Sequence, residues 1–149
     1  MFVQLALGSC LMLLTILIAG LSVWAMEAAL LRFDPWLRRK PHSPKLMVMI
    51  AVAALWVLAQ LTTGVWLWAA TFWSPGLFDT VETAVYFSLV SYTTLGFGDV
   101  LLPQEWRLLA GMSSANGLVN MGLLTAVLVE LVRQVRLLQS DARNGATGT

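Results

Sequence analysis

Six consecutive residues in the second half of the chain have the types needed to hold a dehydrated cation. They are Thr94-Leu95-Gly96-Phe97-Gly98-Asp99. A potassium ion that sheds its water shell needs replacement oxygens, and rings of backbone carbonyls supply them. Glycine adopts left-handed backbone angles at little cost, so alternating glycines let successive carbonyls face the same way. The spacing therefore predicts a row of cation ligands made from main-chain oxygens.

The other residues of this filter segment, as residues 94–99 are called below, have expected roles of their own. The hydroxyl of Thr94 adds an oxygen at the inner end. The side chains of Leu95 and Phe97 alternate with the glycines and are expected to pack behind the carbonyls. Asp99 lies just beyond the outer end, where its carboxylate either ties the strand to its surroundings or attracts cations.

A short helix is predicted immediately before the filter segment. Asp79 followed three residues later by Glu82 is typical of a capping box, and Val81–Tyr92 contains no Gly or Pro. About three turns of helix are too short to cross a bilayer, so we expect a re-entrant half-helix that returns as extended backbone. Non-helical backbone at membrane depth is tolerated only inside protein or along a water-filled path. The C-terminal end of this helix carries a partial negative charge, which favours a cation beside it.

The composition places the chain in the membrane class. It is 58% hydrophobic and 11% charged, whereas soluble domains carry about 25% charged residues. The net charge of +1 implies no polyanion partner, so no nucleic acid is expected. The single cysteine, Cys10, excludes an intrachain disulfide framework.

Three segments are long and apolar enough to span a membrane. They run from Phe2 to about Met26, from Leu46 to about Phe72, and from Arg107 through Glu130 toward Leu138. The first could be mistaken for a signal peptide. No Lys or Arg precedes it, however, and its apolar run exceeds the roughly 7–15 residues of a signal-peptide core. We expect a retained helix.

Basic residues in the flanking segments predict the orientation. They occur in the loop after the first span and in the tail after the third: Arg32, Arg38, Arg39, Lys40, Lys45, Arg133, Arg136 and Arg143. Both segments are therefore expected in the cytoplasm and the N-terminus outside. Pro35, Pro41 and Pro44 are expected to break helicity in the loop.

The stretch YFSLVSYTTLGFGD, residues 86–99, resembles the pore-helix and filter pattern of the potassium-channel pore-loop family, TxGYGD or TxGFGD. The GFGD form is similar to the second pore loop of two-pore-domain channels. The resemblance extends from about Leu46 to Leu138 and leaves the first span as an addition. It implies an all-α membrane protein with three transmembrane helices, a re-entrant pore helix and an extended selectivity filter, assembled as a tetramer.

The resemblance also implies roles for individual residues. Thr94 becomes the innermost filter ligand, and the carbonyls of Leu95, Gly96, Phe97 and Gly98 form the remaining sites. Tyr86 and Phe87 occupy the places of an aromatic pair that braces the filter. Leu95 stands where the family usually has valine or isoleucine.

Two glycines of the third span match small positions of the family's inner helix. Gly117 lies where the family has a hinge, although close helix packing explains a glycine there equally well. Gly122 matches a second small position used in packing. The resemblance further places Leu118, Met121 and Thr125 along the cavity under the filter.

Four polar residues of the third span have alternative explanations. Asn116 and Asn120 are one turn apart, and either a cavity role or an intersubunit hydrogen bond accounts for polar side chains at this depth. Glu130 and Arg133 are three residues apart, which favours an interfacial ion pair over a ring at a gate.

These observations divide the chain into four parts. Residues 1–31 form an extra transmembrane helix, 32–45 a basic cytoplasmic loop, 46–138 the pore domain and 139–149 a disordered tail. The function expected is a homotetrameric potassium-selective channel of the plasma (inner) membrane, with no cofactor apart from the permeant K+ and no enzymatic activity. The alternatives are a nonselective monovalent cation channel and a non-conducting structural or regulatory subunit.

Overall fold

The computed structural model describes residues 2–37 and 43–144, and within these ranges it contains helices and no strand. Within them four α-helices follow one another: α1 (Phe2–Leu37), α2 (Ser43–Trp73), the shorter α3 (Val81–Tyr92) and α4 (Arg107–Asn144). A single 3-10 turn, Gln104–Trp106, leads into α4. The predicted all-α class is confirmed.

Three helices are long and apolar enough to cross a membrane. The candidate spans are Phe2–Ala28, Met47–Trp73 and Gln104–Gln134. They belong to α1, α2 and α4, whereas α3 has 12 residues and is shorter than the roughly 20 that a span needs. The predicted arrangement of three spans with one short helix between the second and third is confirmed, and the chain is a membrane protein.

Two of the three prolines expected to break helicity lie inside helices. α1 continues to Leu37, two residues past Pro35. A proline in the last turn costs a helix one backbone hydrogen bond but does not prevent that turn. α2 begins at Ser43, so Pro44 lies in its first turn, where the missing N–H has no intrahelical partner to lose. Pro41 lies outside the described residues.

The third span also extends further than expected. α4 reaches Asn144, so residues 139–144 of the expected disordered tail are helical. After Gly122 no glycine or proline occurs before Gly145, and this stretch therefore contains no strong helix breaker. Residues 145–149 lie outside the described part of the chain.

α1 packs chiefly against α4, and the two helices run in the same direction. The side-chain amide of Gln4 donates to the backbone carbonyl of Glu105. Eleven residues further along each helix, Thr15 is hydrogen-bonded to Asn116. The constant offset shows a parallel alignment over about three turns.

α2 runs antiparallel to α4 and holds α3 in place. Ala53 of α2 clusters with Leu131 of α4, whereas Gly64, further along α2, lines a small void together with Asn120, earlier in α4. Later residues of α2 thus lie beside earlier residues of α4, so the two helices run in opposite directions. α2 has its most extensive contacts with α3.

An aromatic core fixes α3 against α2. The rings of Phe72 and Phe87 meet edge to face, with centroids 5.1 Å apart and planes at 81°, a favourable geometry for aromatic pairs. Trp68 and Tyr92 are buried in the same cluster. Ser88 of α3 also donates its hydroxyl hydrogen to the Val65 carbonyl of α2 over 2.7 Å. The short helix is thus held by both ring contacts and a buried hydrogen bond.

Candidate functional site

Thr80 caps the N-terminus of the short helix. Its hydroxyl oxygen accepts a hydrogen bond from the backbone N–H of Thr83 over 3.2 Å, and its own backbone is extended. The cap is therefore Thr80 rather than the predicted Asp79, and Thr83 rather than Glu82 lies three residues after it, so the predicted capping box does not form. Either Asp or Thr can act as an N-cap, so composition alone did not distinguish the two neighbours.

The filter segment begins where α3 ends, and the carbonyls of the last turn bind its first amides. The carbonyl oxygen of Val90 accepts from the N–H groups of Leu95 at 3.0 Å and Gly96 at 3.2 Å. The carbonyl oxygen of Ser91 accepts from the N–H of Thr94 at 2.9 Å. These bonds satisfy carbonyls that a helix C-terminus otherwise leaves without partners.

The two amides bound to Val90 determine where the preceding carbonyls point. In a planar trans peptide the C=O of one residue is antiparallel to the N–H of the next. The N–H groups of Leu95 and Gly96 point at Val90, so the carbonyls of Thr94 and Leu95 point away from α3. The inner end of the filter segment thus presents main-chain oxygens on the side opposite the short helix.

The backbone of the filter segment alternates in handedness. Thr94, Gly96 and Gly98 have positive φ values of 61°, 61° and 75°, whereas Leu95 and Phe97 do not. Two of the three left-handed positions are glycines, which adopt such angles without strain. Thr94 is β-branched, and a left-handed conformation there is a strained exception of the kind found at functional sites.

The side chains between the glycines are uncovered in the single chain. Leu95 is 58% exposed and Phe97 66% exposed. They were expected to pack behind the carbonyls, but the described part of this chain does not cover them. Any cover for these two large apolar side chains must come from outside the part of the chain that the structure describes.

Tyr86 ties the outer end of the filter segment to the short helix. Its hydroxyl donates to Oδ2 of Asp99 over 2.5 Å. This hydrogen bond is the main reason that the pKa of Asp99 lies below the ordinary value for aspartate. The same bond holds the phenol proton and raises the pKa of Tyr86. Asp99 was expected either to tie the strand to its surroundings or to attract cations, and the structure contains the tie.

Phe87 has a different place from its neighbour. It is buried against Phe72 and Phe78, with ring centroids 5.1 Å and 5.2 Å apart. These contacts anchor the short helix in the core. The structure therefore separates the expected aromatic pair: Tyr86 contacts Asp99, and Phe87 packs into the aromatic core.

Tyr92, the last residue of α3, is enclosed by two glycines on different helices. A Cβ added at Gly64 of α2 would collide with the Tyr92 phenol, and one added at Gly117 of α4 would collide with the Tyr92 backbone carbonyl. Only a residue without a side chain allows each approach. Gly117 thus packs closely against Tyr92 within an unbroken α4 helix, and its role as a hinge stays a prediction.

One face of α4 has no partner among the residues that the structure describes. Leu118 and Thr125, two of the residues expected to line the cavity, are exposed, and Met121 is partly buried. A Cβ at Gly122 would meet nothing within 4 Å, so the close packing expected of this glycine is absent within the described ranges. The exposed residues recur every three or four positions along this face: Gly111, Ala115, Leu118, Gly122, Thr125 and Val129.

Asn116 and Asn120 bond to the first helix. Thr15 of α1 contacts Asn116 Oδ1 at 3.0 Å, and Asn120 Nδ2 donates to Asn116 Oδ1 at 2.8 Å and to Thr15 Oγ1 at 3.4 Å. Both asparagines are almost fully buried. The structure therefore contradicts the cavity role and offers an intrachain bond in place of an intersubunit one. Sequence reasoning missed Thr15, and its only signal was a hydroxyl within an apolar span.

Glu130 and Arg133 form a bidentate ion pair near the end of the third span. Arg133 Nε and Nη2 each donate to a Glu130 carboxylate oxygen over 2.8 Å. The Arg133 and Glu130 side chains are 63% and 45% exposed. This is the ion pair that the spacing predicts.

Comparison with known proteins agrees with this geometry. A family model described as an ion channel matches residues 46–134, which contain all but the first three residues of α2, the whole of α3, the filter segment and most of α4. Neither the curated proteins nor the solved structures gave a match. The matched stretch covers more than half of the chain and starts and ends near the boundaries expected for a pore domain. The chain belongs to the ion channel family of pore-loop proteins.

Proposed function

We propose that the protein is a potassium-selective channel in which carbonyls of residues 94–98 replace the water shell of the ion. The observation that supports this most directly is the binding of two consecutive filter amides to the Val90 carbonyl. It directs the carbonyls of Thr94 and Leu95 away from α3. Fixed carbonyl oxygens of this kind are the ligands a dehydrated potassium ion requires.

The alternation of handedness extends the same arrangement toward the outer end. When left-handed and right-handed backbone angles alternate along a chain, the carbonyls of successive residues point to the same side. Carbonyls that face away from α3 at the inner end are therefore expected to face the same way through Gly98. The Thr94 hydroxyl completes the inner site. Several sites in a row let ions move in single file and repel one another, which permits passive flow without catalysis or a bound cofactor.

The proposed assembly is a homotetramer. A ring of carbonyls around an ion needs four filter segments, and one chain supplies one. Leu95 and Phe97 lie uncovered in the single chain. The unpartnered face of α4 also carries the small residues Gly111, Ala115 and Gly122, which allow helices from neighbouring copies to approach closely. Copies arranged around one axis would cover both surfaces.

The helix directions support one orientation in the membrane. α1 and α4 run parallel and α2 antiparallel, so the filter segment lies on the side where α1 and α4 begin. The end of α1, the beginning of α2 and the end of α4 then share the opposite side, where these helices carry Arg32, Lys45, Arg133 and Arg136. By the preference of Lys and Arg for cytoplasmic loops, we place the N-terminus outside and the C-terminus in the cytoplasm. The membrane proposed is the plasma (inner) membrane.

The test is the reversal potential of the purified protein in liposomes with K+ on one side and Na+ on the other. We compare the wild type with Gly96→Ala. Alanine at φ +61° costs about 1–2 kcal/mol in backbone strain, so the carbonyls it positions should move. Gly20→Ala is the matched control, because Gly20 has no positive φ and a Cβ there would meet nothing within 4 Å.

A reversal potential near the potassium equilibrium value, lost in Gly96→Ala and kept in Gly20→Ala, is the expected result. A current that reverses near zero in the wild type would instead identify a nonselective monovalent cation channel. An assembled protein without current in either ion, at any voltage and pH tested, would identify a non-conducting subunit. Either of these two outcomes overturns the proposal.

A further inference from the structure

A buried polar cluster joins the first helix to the helix that supports the filter segment. It consists of Thr15 on α1 with Asn116 and Asn120 on α4. Asn116 Oδ1 contacts both the Thr15 hydroxyl, at 3.0 Å, and Asn120 Nδ2, at 2.8 Å. The three residues are 5%, 0% and 3% exposed. The family match begins at residue 46, so α1 lies outside it.

The depth of this cluster makes its hydrogen bonds important. A polar group in the interior of a membrane protein has no water to bond if its partner is lost, and each such loss is costly. Asn116 is the most constrained member, since its Nδ2 is buried without a hydrogen-bond partner in the described residues. Its amide is therefore held through its oxygen alone, by Thr15 and Asn120.

The same turn of α4 supports the base of the filter segment from its other side. Gly117, next to Asn116, lies against the Tyr92 carbonyl with no room for a Cβ. Ser114 donates its hydroxyl hydrogen to the Ser91 carbonyl over 2.8 Å. The Ser91 carbonyl in turn accepts from the amide of Thr94. Two contacts therefore connect this turn of α4 to the last residues before the filter segment.

One small void is lined both by residues of α1 and by Tyr92. Thr15, Asn120 and Tyr92 are among its lining residues. Tyr92 has little freedom to adjust, because Gly64 of α2 contacts its ring from another side. α1 therefore reaches the end of α3 only indirectly, through the α4 turn that contacts both Thr15 and Tyr92.

Two further contacts fix the register of α1 along α4. Gln4 donates to the Glu105 carbonyl, and Gly8 lies so close to Met112 that a Cβ would meet the methionine sulfur at 2.5 Å. α1 is therefore aligned with α4 on the side of Thr15 toward the filter. An apolar helix that merely packed against the lipid-facing surface of the protein would not need contacts at such fixed positions.

We propose that α1 is a positioning element for the filter, and that the Thr15 hydroxyl is the positioning residue that sets α4 against the base of the filter segment through Asn116 and Asn120. In this arrangement Thr15 touches no ion. It holds the turn of α4 that carries Ser114 and Gly117. The consequence for ion selectivity rests on the proposed function, whereas the consequence for the order of the filter backbone does not.

The first test measures hydrogen–deuterium exchange of the assembled full chain. Thr15→Val keeps the shape of the side chain but removes its hydroxyl, and Thr15→Ser restores the hydroxyl. Thr62→Val is the matched control, because the Thr62 hydroxyl is exposed and bonds only the Leu58 carbonyl of its own helix. We expect Thr15→Val to raise exchange in a peptide covering residues 93–99 by about tenfold, as loss of a buried hydrogen bond predicts. Thr15→Ser and Thr62→Val should stay at the wild-type rate.

The proposal is overturned if exchange rises only within α1 and the filter peptide is unchanged. It also fails if Thr15→Ser is as damaging as Thr15→Val, because shape rather than the hydroxyl would then be responsible. A Thr15→Val chain that no longer assembles, rescued by Thr15→Ser, would assign the hydroxyl to assembly and contradict a positioning role.

The second test is the ratio of K+ to Na+ permeability in the same variants. We expect Thr15→Val to lower the ratio several-fold and Thr15→Ser to restore it. A wild-type protein without selectivity defeats the proposed function but leaves the exchange comparison decisive. A selective wild type with unchanged selectivity in Thr15→Val, despite faster exchange, overturns the role of Thr15 in ion discrimination.

Discussion

The Tyr86 hydroxyl donates a hydrogen bond to Oδ2 of Asp99 over 2.5 Å, and this bond joins α3 to the outer end of the filter segment. The corresponding support at the inner end is the pair of amides bound to Val90. The filter segment is therefore attached to α3 at both ends. Between these attachments, the backbone alternates in handedness at Thr94, Gly96 and Gly98.

The tie at the outer end predicts a pH effect. The Tyr86 hydroxyl lowers the pKa of Asp99, so the stabilisation is fully present above the unfolded pKa and is lost as the pH falls through the lowered folded one. Tyr86→Phe removes the donor and should move the pKa of Asp99 back up. We expect acid to reduce the current of Tyr86→Phe at a higher pH than in the wild type.

The measurement is channel current against pH on the filter side of the membrane. Asp99→Asn is the control, since it removes the titrating group and should abolish the difference that Tyr86→Phe produces. Identical acid midpoints in wild type and Tyr86→Phe would contradict the assignment of this bond to the support of the filter.

Gly117→Ala tests whether that glycine serves packing or bending. Its Cβ would collide with the Tyr92 backbone carbonyl, which cannot rotate away as a side chain can. Overpacking of this kind costs about 1–3 kcal/mol or more, so we expect a lower thermal midpoint of the assembled protein. The Gly20→Ala control should unfold at or slightly above the wild-type temperature, because alanine favours helix and the site is open. A stable Gly117→Ala protein with altered gating would support the hinge instead.

Thr94 is predicted to contribute through its hydroxyl. Its φ of 61° is unusual for a β-branched residue, which indicates that the surrounding bonds hold it in place. Thr94→Val keeps the branching and loses the oxygen, so we expect weaker stabilisation of the protein by K+ in a thermal melt. Thr94→Ser keeps the oxygen and should retain most of that stabilisation. Equal K+ stabilisation in wild type and Thr94→Val would remove the hydroxyl from the ion path.

Arg133→Gln should change the thermal stability and the opening of the channel little. The pair with Glu130 is exposed, and solvent screens exposed ion pairs so that they contribute little to stability. We expect a thermal midpoint within about two degrees of the wild type and unchanged opening of the channel. A large change in open probability would show instead that this pair acts at a gate.

The filter segment was predictable because its signal is local. The spacing of Gly96 and Gly98 follows from backbone angles that few other residues adopt, and the preceding helix is bounded by residues next to it in sequence. The position of the cap was wrong by one residue because Asp79 and Thr80 are both good caps. All of these features lie within one stretch of about 20 residues.

The packing of α1 against α4 was not predicted from the sequence. The hydrophobicity of α1 has almost no direction, so no apolar stripe marks the face that packs against α4. That face is marked instead by polar and small residues among apolar ones, namely Gln4, Gly8, Thr15 and Ala19. The partner of Thr15 lies 101 residues away, and no local pattern encodes such a pairing. For the same reason the alternatives considered for Asn116 and Asn120 omitted the intrachain bond. Leu118 and Thr125 are exposed in the single chain, and their cavity role stays a prediction that depends on assembly.

The most direct test of the central claim is a structure of the assembled protein with bound Tl+ or Rb+, whose strong scattering reveals permeant cations. We expect four chains around one axis, with ion density on that axis level with the carbonyls of residues 94–98. The density should disappear in Gly96→Ala and persist in Gly20→Ala. An assembly without a four-fold axis, or ion density remote from the filter segment, would contradict the account.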